Sequence, residues 1–185
     1  MRQNQVCRAI GGTLTAAGLM LACTNYVEPD LLSGDVNGDL LTPGASARMQ
    51  LQSNQTFVPG EQTNPEVMPA YPADLLPLRL SDQEMCVSFV VNRDGSVSSV
   101  RPLYGAVECP ASADLVRPEF VQTALEAVSR WDFLPFQRCT FPPGTPSEQQ
   151  CNGPGATVEQ VEVTLGYRFL FSARNGAGVV QGSSQ

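Results

Sequence analysis

Apolar and polar positions alternate most sharply in two stretches of the chain. Met85, Val87, Phe89 and Val91 occupy every second position of one run, separated by Cys86, Ser88 and Val90. This period of two is the pattern of a half-buried strand. The second stretch is longer: Val161, Val163, Leu165, Tyr167, Phe169 and Phe171 alternate with Glu162, Thr164, Gly166, Arg168 and Leu170. It predicts a long amphipathic strand near the C-terminus. Asp94-Gly95 follows the first strand and predicts a hairpin, because glycine tolerates positive φ. The chain then returns through Val97, Val100, Leu103 and Tyr104. Pro102 cannot donate a ladder hydrogen bond, so the returning strand is expected at an edge or with a bulge. If the hairpin closes at Asp94-Gly95, Cys86 falls across from Leu103.

The helical period appears once. Phe120, Ala124, Val128 and Trp131 form one stripe over residues 118–131, with Pro118 suited to the first turn and Glu119 to the positive helix start. Pro135 ends that element. A short helix is expected after Pro72, limited by Pro77. The order is therefore short helix, strand, strand, helix, loop, strand. It predicts an α+β two-layer sandwich: a three-stranded antiparallel sheet with one main helix and a short N-terminal helix. Phe89, Val91, Val163, Leu165 and Tyr167 are expected beneath the helix stripe.

Residues 23–64 show neither period and are rich in Asn, Gln, Gly, Pro, Ser and Thr, which predicts a flexible linker before a domain at 65–172. The Gly-, Ser- and Gln-containing tail at 173–185 is expected to be disordered. Asp35-Val36-Asn37-Gly38-Asp39 begins like a calcium loop, but Leu40 and Ser46 stand where that motif needs glycine and glutamate. A turn in a linker is the better reading.

The N-terminus narrows the setting. Arg2 and Arg8 precede an uncharged stretch of 14 residues, 9–22, that contains three glycines. A membrane span needs about 20 residues, so residues 1–22 predict an export signal. Leu19-Met20-Leu21-Ala22-Cys23 resembles a bacterial lipobox, although Leu21 is bulkier than usual at its position. The resemblance implies cleavage before Cys23 and lipidation of its sulfur. Simple cleavage and release, or retention as an anchor, are the alternatives. Thr24 is not the aspartate that marks inner-membrane retention among lipoproteins. This points to a periplasmic protein held at a membrane, the outer rather than the inner.

Export implies an oxidising compartment. Beyond Cys7 and Cys23, four cysteines remain and none forms a C-x-x-C pair, so neither a zinc site nor a redox motif is indicated, and three pairings are open. Locality favours Cys86–Cys109 and Cys139–Cys151, the second stapling a Pro- and Gly-rich loop. A core of this size is marginal, which makes such cross-links physically sensible.

Composition removes most chemistry. All 11 basic residues are arginine, histidine and lysine are absent, and the net charge is −7. No His-based nucleophile pair, His metal ligand, Schiff-base lysine or P-loop lysine is available. An acidic chain lacks the basic footprint of a nucleic-acid binder. No catalytic residue, metal or cofactor is expected, and no enzymatic activity or small-molecule substrate.

Taken in order, these elements resemble the C-terminal domain of the TonB family of periplasmic energy transducers. The matching residues are Tyr71-Pro72, then Val87, Phe89, Val91, Asp94-Gly95 and Val97, then Phe120, Ala124, Leu125, Ala127, Val128, Trp131, Phe133 and Pro135, and the long strand closing on Phe169. Gln83 replaces a usual glycine, and the four cysteines are additions. The resemblance implies capture of a peptide, such as the TonB box of an outer-membrane receptor, by strand addition at a sheet edge. The candidate edge is 157–166, with Glu159, Val161, Glu162, Val163 and Thr164, and Tyr71 and Pro72 fall in the binding-region motif. TonB itself keeps an inner-membrane helix that couples to a proton-driven motor through a histidine. Here the start is short and lipobox-like, so a lipid-anchored binding protein is expected. An energy transducer and a structural envelope lipoprotein are the alternatives.

Overall fold

The computed structural model describes residues 32–42, 49–144 and 151–175. The segment expected to be an export signal, Cys23 and residues 176–185 lie outside those residues. In chain order the elements are β1 (Leu32–Leu40), β2 (Gln55–Val58), a 3-10 turn at Ala73–Leu78, β3 (Gln83–Val91), β4 (Val97–Pro102), a second 3-10 turn at Ala113–Leu115, α1 (Pro118–Val128), β5 (Gln137–Thr140), β6 (Thr157–Gln160) and β7 (Val163–Asn175).

The class is α+β, as the periodicity predicts, but the single three-stranded sheet is corrected to two sheets. A four-stranded sheet runs in the order β1-β7-β3-β4, and a three-stranded sheet in the order β2-β5-β6. All their ladders are antiparallel. Two of the additional strands, β1 and β2, come from the span read as flexible linker, so that reading is overturned at Leu32–Leu40 and Gln55–Val58. The ordered chain also continues past 172, to Asn175.

The hairpin forms where Asp94-Gly95 places it. Gly95 has φ +90, and Asp94 accepts hydrogen bonds from the Ser96 backbone N–H (3.0 Å) and hydroxyl (2.6 Å). The returning strand β4 is an edge strand with a register shift opposite Ser88 and Val90. Both Pro102 and that bulge blunt this edge against further pairing. The Leu103 N–H donates to the Cys86 carbonyl at 2.8 Å, the juxtaposition expected from the turn.

The main helix starts at Pro118 and ends at Val128, three residues before the expected Trp131. Trp131 leaves the helix in a turn in which its N–H bonds the Val128 carbonyl at 3.1 Å. Phe120, Ala124 and Val128 face the sheet. They bury Met85, Val87, Phe89 and Val91 of β3 and Phe169 and Phe171 of β7. The second sheet joins this core through Phe136, which stacks on Phe57 at 5.8 Å, and through buried Val161.

Both expected disulfides are present, Cys86–Cys109 and Cys139–Cys151. The first ties β3 to the loop after β4. The second ties buried Cys139, in the middle strand of the small sheet, to the segment leading into β6.

Candidate functional site

β7 is the longest strand, with 13 residues. One flank pairs with β3 from Val163 to Phe171. The other pairs with β1 from Tyr167 to Asn175, and the Leu41 N–H extends the ladder to the Gly166 carbonyl at 2.8 Å. β7 is thus interior from Gly166 onward, while Val163–Leu165, within the expected edge at 157–166, pair on one flank only.

The five edge residues do not share one edge. Glu159 lies on exposed β6, the outer strand of the small sheet, and pairs with Arg138 at 2.6 Å. Val161 is buried in the core, and its N–H bonds the Phe136 carbonyl at 2.9 Å. Glu162 is exposed between the strands. Val163 and Thr164 stand opposite Val91 and Val90 of β3. The sequence pattern showed one wet and one dry face but carried no information on which flank was already paired.

Tyr71 and Pro72 part company in the same way. Pro72 precedes the 3-10 turn. Tyr71 is buried, with its ring 5.1 Å from Phe120 and 6.5 Å from Phe171. It covers the strip of β1 at Gly34, where an added β-carbon would fall on its side chain. Four residues on, Gly38 lies under Tyr167, and a β-carbon there would strike that ring. Between them Val36 packs on the core cluster. On the opposite face Arg168 of β7 lies 3.5 Å from Asp39 and 4.0 Å from Glu108, which adjoins Cys109. The apparent calcium-loop start is therefore an extended strand that places side chains alternately on two faces.

Among the described residues no group of three His, Cys, Asp or Glu side chains could hold a metal. An open hollow of about 480 Å³ lies beside α1, lined by Tyr104, Val116, Val121 and Leu125 together with Gln122 and Glu126. No helix of the described residues is long and apolar enough to cross a membrane.

The two tyrosines over β1 set an alkaline limit. Burial raises the Tyr167 hydroxyl above its ordinary 10.0, and the Asp39 charge adds to the effect. Burial also raises Tyr71, with Asp82 reinforcing and Arg117 opposing. A raised phenol keeps its proton longer folded than unfolded, so its contribution is complete below the unfolded value and is lost as pH rises through the folded one. Stability is expected to fall as pH climbs past 10.0, and Tyr167→Phe is expected to make the fall shallower. Thermal midpoints measured on either side of that pH check this; superimposable curves for the two proteins would refute it.

Searches with family models, among curated proteins and among solved structures return no match to this chain.

Proposed function

We propose that this chain is an exported, lipid-anchored envelope protein whose domain, similar in its ordered motifs to the TonB C-terminal domain, binds an extended peptide of a protein partner by strand addition. The observation that carries this reading is the β1–β7 ladder. A polar, glycine-containing segment of nine residues is laid antiparallel along β7 in continuous register. Most of its hold comes from backbone pairing, the mode by which an added strand is recognised. The absence of His and Lys favours binding over catalysis. The two disulfides suit an oxidising compartment such as the periplasm.

Titration of isotope-labelled full-length protein with a TonB-box peptide of an outer-membrane receptor tests the reading. Amide signals of β1 and β7 are expected to shift on addition. A folded protein whose amides ignore every such peptide overturns it. The mass of the mature chain decides the mode of attachment. A diacylglyceryl group on Cys23 supports the lipid anchor, whereas an intact Met1 favours an energy transducer that keeps residues 9–22 in the inner membrane.

A further inference from the structure

The ladder also constrains which segment the site accepts. Backbone pairing by itself is indifferent to sequence, and selectivity comes from side chains at alternate positions. Over β7 those positions are unequal. Tyr71 is 8% exposed and wedged against Phe120 and Phe171. Tyr167 is held by Trp131 at 4.9 Å and Phe169 at 4.7 Å. Tyr71 is closed in by Phe120 and Phe171, and at Gly38 an added β-carbon would also fall 2.6 Å from the Arg168 backbone carbonyl oxygen, so the strand needs a residue without a β-carbon at each crossing. The intervening position, that of Val36, is half-buried against the core. The position of Asp39 meets the Arg168 guanidinium on the other face.

We infer that β1 is a built-in stand-in for the partner's strand. The β7 edge selects an extended protein segment with glycine at the positions of Gly34 and Gly38, an aliphatic residue midway between, and an acid directly after the second glycine. This rests on the strand-addition reading above and specifies its ligand. β1 is suited to yield. Its side-chain anchors include Val36 and the exposed Asp39 pair, while β3 on the other flank buries Met85 through Phe89 without a break. An incoming strand replaces one backbone ladder with an equal one, so exchange turns on the side-chain fit. While β1 is in place, the apparent affinity for a partner is reduced by the fraction of molecules with the edge open.

The test uses the full-length protein and a fluorescent peptide, LSGDVNGDLL, which copies residues 32–41. Anisotropy is read for the wild type and for Gly34→Val and Asp39→Arg, variants that weaken the hold of β1 by a clash and by charge. Circular dichroism confirms that each is folded. Peptide binding is expected to tighten about tenfold or more in Gly34→Val, as self-occupancy is relieved, and by a smaller factor in Asp39→Arg. A peptide with valine at both glycine positions is expected not to bind, and an Asp-to-Arg peptide is expected to recover binding only on Arg168→Glu. If the opened variants take a shuffled peptide equally well, the selectivity is overturned while strand addition stands. If they take no peptide at all, both fall. If copies instead form dimers by exchanging β1 and exclude the peptide, the stand-in role is overturned.

Discussion

Reduction of both disulfides is expected to lower the unfolding free energy by about 6 kcal/mol, with about 3 kcal/mol from each loop on the chain-entropy estimate. The cross-links close separations of 23 and 12 residues. A domain of this kind has about 5–15 kcal/mol in total, so reduction should remove a large share of the stability and move the unfolding midpoint far down. The two bonds also act locally. Cys86 lies within β3, and its carbonyl receives the Leu103 N–H, so the first bond fixes the exit of β4 and the loop that carries Glu108. Cys139 is buried in the middle strand of the small sheet. Each strand of that sheet has four residues, too few for independent stability. Urea unfolding followed by Trp131 fluorescence, with and without reductant, measures the sum. The paired variant Cys139→Ala/Cys151→Ala isolates the second bond and should expose the amides of β2, β5 and β6 to exchange before those of β3. A midpoint unmoved by complete reduction would show that packing alone holds the fold.

The elements legible in the sequence were those whose patterning a single strand or helix can express. β3, the Asp94-Gly95 turn, the stripe of α1 and the C-terminal alternation follow directly from side-chain period, and sequence proximity sufficed for both cysteine pairs. β1 was hidden for a physical reason. Leu32, Gly34, Val36, Gly38 and Leu40 do alternate with Ser33, Asp35, Asn37 and Asp39. Two of the inward positions are glycines, however, which count as breakers when the chain is read locally. They are glycines because rings from β7 and from the segment before the 3-10 turn occupy that space, a fact of tertiary packing. The small sheet leaves no mark in the pattern because four-residue strands are too short to show a period. Tyr71 could be placed near the site by motif, but its role as a lid over Gly34 could not. The edge residues scatter over two sheets because alternation reports faces and is silent on flanks. A free flank is known only once every other strand has been found.

Trp131→Ala is expected to cost about 3–5 kcal/mol, the range for truncating a fully buried aromatic residue. The chain has one tryptophan, 1% exposed, and it joins four parts of the fold. Its ring meets Phe89 of β3 at 5.6 Å, Tyr167 of β7 at 4.9 Å and Phe133 at 6.4 Å. Its indole N–H donates to the Val67 carbonyl, pinning the segment before the 3-10 turn. Alanine leaves a cavity and an unpaired carbonyl, two separate penalties. Trp131→Phe keeps most of the volume but loses the donor, and should fall between wild type and alanine. Because the fluorophore is removed, urea unfolding is followed by circular dichroism, and a lower midpoint at unchanged slope is the expected result. A loss under about 1 kcal/mol would mean that the site collapses without cost, against the close packing expected of a protein interior. The phenylalanine variant extends the measurement to the proposed binding edge. Trp131 is one of the two rings that hold Tyr167 over Gly38. With a smaller ring behind it, Tyr167 gains room to retreat. A β-carbon at Gly38 would still fall 2.6 Å from the Arg168 backbone carbonyl oxygen, however, so a peptide strand with alanine at the second glycine position should remain excluded from the Trp131→Phe protein as from wild type. The same substitution at the first glycine position, under Tyr71, should remain excluded in both.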